Sequence, residues 1–85
     1  MSTVIKYLAY KEEFLHLPTK LQSKMKQARD LAFYEMEKFD GLEPTSAFRQ
    51  MGSDLLPKNI SDDNWSLYMT LCNLSMHYPQ AFETA

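Results

Sequence analysis

The 85-residue chain is 45% hydrophobic and 13% aromatic, with Trp65, five tyrosines and five phenylalanines, which excludes a disordered or fibrous polypeptide and, by its length, a second domain. Its formal net charge of −2 and pI near 5.6 exclude the overall basicity of a sequence-independent nucleic-acid binder, for which a domain pI above about 9 is usual. The one cysteine, Cys72, excludes an intramolecular disulfide framework.

Residues 1–85 are expected to fold as one all-α domain, a small bundle of three main helices at about 3–15, 20–39 and 62–77 with a short helix near 45–51. Pro18, Pro44, Pro57 and Pro79 cut the chain into helix-sized pieces, and Gly41 and Gly52 each stand where a helix is expected to stop. In the first piece, Val4, Leu8 and Leu15 with Ile5, Tyr7 and Phe14 cover one broad apolar side of a helix. A strand over "TVIKYLAY" has a β-branched start but alternates poorly, so helix is preferred.

Thr19 is the expected N-cap of the second helix, ended by Asp40-Gly41, with Leu21, Met25, Ala28, Ala32, Met36 and Phe39 in one core stripe. Its charges run against the helix dipole, lysines crowding the start and acids the end. Pro44 opens the short third helix, whose apolar side is Ala47, Phe48 and Met51. The stretch from Ser53 to Asn59 reads as a loop pinned by Leu55 and Leu56.

The last helix has the fullest start signal. Ser61 is the N-cap, Asp62 and Asp63 suit the positive end of the dipole, and Ile60 with Trp65 are placed to form a hydrophobic staple. Apolar residues from Trp65 to Met76 cover well over half its circumference, leaving a polar strip of Asp62, Ser66, Thr70, Asn73 and His77. Such a helix belongs at the centre of a bundle or in an interface.

No constellation points to catalysis, a metal or a cofactor. Cys72 and His77 are five residues apart on one helix, about 140° around it, and cannot form a nucleophile–base pair. His16 could approach Cys72 only through the fold, and a lone apolar-face cysteine is ordinarily a small core residue. Met69, Cys72 and Met76 have a spacing that suits Cu(I), but sulfur residues beside Trp65 are explained as packing. The acids at Ser61-Asp62-Asp63-Asn64 lack the glycine and the twelfth-position glutamate of a calcium loop. A helix-turn-helix fails as well, because its recognition helix would open with Asp62-Asp63 and carry no Lys or Arg.

The surface that core packing does not obviously require lies on the second helix. Lys20, Lys24, Gln27, Leu31, Tyr34 and Lys38 fall within a sector of roughly 80°. Either neighbouring helices cover Leu31, Phe33 and Tyr34 while lysines snorkel over them, or Leu31 and Tyr34 form an exposed apolar centre in a basic rim, as in a protein interface.

The chain is also mildly dipolar. Residues 1–38 hold seven Lys and Arg against five acids, and residues 39–85 hold two against six, which suits complementary association. The expectation is a non-catalytic, cytoplasmic interaction or regulatory protein that binds a protein partner, a second copy as a homodimer included. With neither a signal-peptide pattern nor a membrane-length apolar run, no membrane is expected. Nucleic acid is not the expected partner. The alternative is a nucleic-acid-associated regulator using Lys20, Lys24, Lys26 and Arg29 at the basic start of the second helix.

Overall fold

The computed structural model describes the backbone of residues 2–38 and 43–77 and the side chains of residues 7–38 and 43–77. Among the described residues the chain is all-α, with α1 (Ser2–Leu15), α2 (Thr19–Lys38), α3 (Pro44–Leu55) and α4 (Asp62–His77). The expected ends at Phe39, Asp40-Gly41, Tyr78-Pro79 and the tail containing Phe82 lie outside the described residues. No described helix is long and apolar enough to cross a membrane.

The α1–α2 corner follows from Pro18. Pro18 rather than Thr19 takes the cap position, and its carbonyl accepts from the amides of Leu21 and Gln22, both at 3.0 Å. The Gln22 side chain turns back and donates to the carbonyls of Leu17 at 2.9 Å and Leu15 at 3.4 Å. Carbonyls that α1 leaves open at its end are thus satisfied by α2, which fixes the corner.

α1 is a helix, and of its expected broad face the aromatic part, Tyr7 and Phe14, is seated on the core while the leucines are not. Tyr10 and Phe14 are buried, their rings 5.4 Å apart, with Tyr7 and Leu17 packed against the core. Leu8 and Leu15 are instead 59% and 62% exposed. The aromatic stripe offers more apolar area to bury than two leucines, so it takes the inner side. The side chains of Val4 and Ile5 lie outside the described residues.

On α2 the core stripe is as expected: Met25, Ala28 and Ala32 are fully buried, with Leu21 and Met36 packed beside them. The two alanines let another helix come close, and α3 is the neighbour with which α2 packs most extensively. α3 contributes Ala47 and Phe48, with Phe33 of α2 edge-on to Phe48 at 5.5 Å.

α3 does not stop at Gly52. It continues to Leu55, the Leu56 amide still donating to the Gly52 carbonyl at 2.9 Å. Leu56 then turns extended (φ −83°, ψ 154°), as a residue before proline is pushed to do. Gly52 has another purpose: a Cβ there would lie 2.6 Å from Cε2 of Tyr68 and 2.9 Å from two ring carbons of Trp65. This glycine permits close approach of α4 rather than ending a helix.

α4 packs against α1, α2 and α3, which makes it the central helix. Its start is as read, the Asn64 amide donating to Ser61 Oγ at 3.2 Å, with Ile60 and Trp65 both packed on the core. Leu67, Tyr68, Leu71, Cys72 and Leu74 are buried. Two positions differ from expectation: Met76 is exposed, and Ser75 is buried with no hydrogen-bond partner for its Oγ among the described residues.

Candidate partner-binding surface

With Met25, Ala28 and Ala32 turned inward, the arc of α2 centred roughly 110° around the helix from them carries the residues selected by spacing. Lys20, Gln27, Leu31, Tyr34 and Lys38 are exposed and Lys24 is half-buried. The apolar pair is open, Leu31 at 39% and Tyr34 at 57%. Neighbouring helices cover only Phe33, which lies against α3. The sequence-selected residues therefore share one outward strip, with an apolar middle and lysines toward both ends.

The other cations of α2 are engaged by the fold. Lys26 Nζ stands 5.7 Å from the centre of the Phe14 ring, the distance of a cation–π contact. The Arg29 side chain is only 12% exposed and pairs with Asp30 at 2.9 Å. Of the four cations that a nucleic-acid surface would use, Lys20 is exposed and Lys24 half-buried, neither in an ion pair among the described residues. They sit in the first turns of a helix with no acid in its first turn, where each opposes the dipole by about 0.3–1 kcal/mol.

An open groove between α1 and α4, of about 940 Å³, was not anticipated. Its lining includes Glu13 of α1 with Asp63, Ser66, Thr70 and Asn73 of α4 and contains no lysine or arginine. The polar strip of α4 was legible from spacing. The groove was not, because it depends on which face of α1 lies alongside.

The cysteine neighbourhood has a different character. Cys72 is fully buried, whereas His16 and His77 are exposed. Burial pushes the Cys72 thiol up to about 12, the Tyr68 hydroxyl and the Arg29 guanidinium pulling partly back. It is therefore a protonated core thiol at neutral pH. Burial also raises the Tyr68 phenol, reinforced by Cys72, and raises the Tyr10 phenol against an opposing pull from Arg29. The sulfurs of Met69, Cys72 and Met76 do not share one environment, since Met69 is half-buried, Cys72 buried and Met76 exposed. No group of three or more His, Cys, Asp or Glu side chains that could hold a metal ion occurs among the described residues.

These shifts fix a pH dependence. In the unfolded chain the thiol ionises near its ordinary 9.0, while in the fold it holds its proton to about 12. Between those values the unfolded state sheds a proton that the folded state keeps. Stability is therefore level up to about pH 9 and falls above it, by on the order of 1 kcal/mol per pH unit. The raised tyrosines steepen the loss above their ordinary value of 10.0. Urea titrations across this range are expected to show the fall, and Cys72→Ala should flatten its first unit. A native thiol that iodoacetamide modifies as fast as the unfolded one would contradict this assignment.

No protein-family model matches the chain, and comparison with curated proteins and with solved structures gave no match. What the chain does must therefore be argued from its own side chains.

Proposed function

We propose that this is a non-catalytic interaction protein of the cytoplasm, docking on a protein partner through the outer strip of α2. One observation carries the reading. Leu31 and Tyr34 are both exposed at the middle of the strip, one turn apart, with lysines beyond them. A tyrosine beside an aliphatic residue supplies rigid, largely apolar contact area, and the surrounding lysines form a polar rim. The cytoplasmic setting rests on the single cysteine.

The nucleic-acid alternative has less support. Arg29 and Lys26 are occupied within the fold, which leaves few cations to contact phosphates.

The test uses the tagged full chain to capture partners from its native host. Leu31→Asp and Tyr34→Ala are each expected to weaken capture by at least about tenfold. As surface changes they should leave the unfolding midpoint nearly unmoved. Retained capture by both variants would refute the reading. So would binding to nucleic acid that falls steeply with salt and is lost in Lys20→Glu/Lys24→Glu.

A further inference from the structure

We propose that the α1–α4 groove receives the α2 strip of a second copy of this chain, so that the protein associates with itself through two different surfaces. The inference rests on the docking role of the α2 strip and names its occupant. Charge is the first argument. The strip presents Lys20, Lys24 and Lys38, while the groove presents Glu13 and Asp63 with no basic lining residue. Among the described residues, Lys20, Lys24, Glu13 and Asp63 make no ion pair within their own chain. Lys20 and Lys24 on α2 and Glu13 and Asp63 at the groove, of opposite sign on different faces of one molecule, are complementary between molecules.

Shape and size agree. The strip is the convex side of a helix and the groove is open. At 1.5 Å per residue, the groove wall from Asp63 to Leu74 runs about 16 Å, enough for the middle of the strip from Lys24 to Tyr34, about 15 Å, while Lys20 and Lys38 reach past its ends. Leu31 and Tyr34 would meet the apolar part of the lining, Leu67, Met69 and Leu74, while the lysines lie near the carboxylates. Burying this strip also suits a chain of 85 residues, since a small domain covers only a modest share of its own apolar surface.

A reciprocal charge swap tests the proposal. One variant carries Lys20→Glu with Lys24→Glu, the other Glu13→Lys with Asp63→Lys, and each is checked for native helicity by circular dichroism. Sedimentation velocity from micromolar to about millimolar concentration is expected to show reversible self-association of the native chain. Each variant alone should associate at least about tenfold more weakly. Mixing the two should restore association, because each strip then meets a groove of opposite sign. If Asp63→Lys unfolds the chain by opposing the α4 dipole, Glu13→Lys with Thr70→Lys, both at exposed positions, still turns the lining net positive with Asp63 kept.

A native chain that stays monomeric throughout overturns the proposal, as does a mixture of folded variants that fails to associate. In either case, Tyr34→Ala still abolishing capture of another protein leaves the α2 docking face intact with a different occupant. Self-association that Tyr34→Ala and the lysine changes leave untouched overturns the strip as the contact.

Discussion

Gly52→Ala is expected to lower stability by about 1–3 kcal/mol, and Gly52→Leu to abolish the fold. The sign is informative, because alanine inside a helix is ordinarily favoured over glycine by about 1 kcal/mol. At this position the gain is outweighed by contact. The new methyl would stand 2.6 Å from the Tyr68 ring and 2.9 Å from the Trp65 ring. Tyr68 is fully buried and its hydroxyl is held by the Phe48 carbonyl at 2.7 Å, so the ring cannot swing clear. α3 and α4 would have to part instead. Urea denaturation followed by circular dichroism reads the loss directly, and a more stable Gly52→Ala chain would show that the rings yield.

The second large effect is at Tyr68 itself. Tyr68→Ala removes the largest fully buried side chain of the core and is expected to cost about 3–5 kcal/mol, as aromatic-to-alanine changes in cores do. A domain of 85 residues is stable by only about 0.05–0.15 kcal/mol per residue, so this one change would remove a large share of the total. Tyr68→Phe separates ring from hydroxyl. It keeps the packing but removes the buried bond from α4 to the Phe48 carbonyl of α3, at a cost of about 1 kcal/mol. Thermal melts of the two variants should therefore differ widely. Equal losses would mean that the hydroxyl, rather than the ring, holds α3 to α4.

Much of this architecture was legible because helix boundaries are local. The starts of α2 after Pro18 and of α4 after the Ser61 cap, and the inner faces of both helices, follow from proline placement, capping and 3.6-residue periodicity. Gly52 misled because glycine usually marks a helix end, whereas its role here is set by two rings more than ten residues away. The stripe on α1 misled because leucines and aromatics both fit a helical face. The expected side was broad enough to hold Phe14 together with Leu8 and Leu15, and only packing in the fold shows that Phe14 is buried with Tyr10 while the two leucines stay outside. The composition of the α2 strip could be read from spacing, but the exposure of Leu31 and Tyr34 depended on where the neighbouring helices lie. That Glu13 and Asp63 line one groove had no sequence signature.

The reversed charges of α2 have a consequence for how molecules meet. Lys20, Lys24 and Lys26 gather where the helix already carries a partial positive charge of about half a unit, and Glu35 and Glu37 outnumber Lys38 where it carries the negative counterpart. Side chains and backbone therefore reinforce one another instead of cancelling. The helix becomes a bar with two electrical poles, able to turn an approaching charged molecule along its axis before any atoms touch. Such alignment acts on encounter rates and fades as salt shortens the reach of the field to about 10 Å at 0.1 M. An arrangement that slightly weakens the isolated helix thereby gives its outer face a direction of approach.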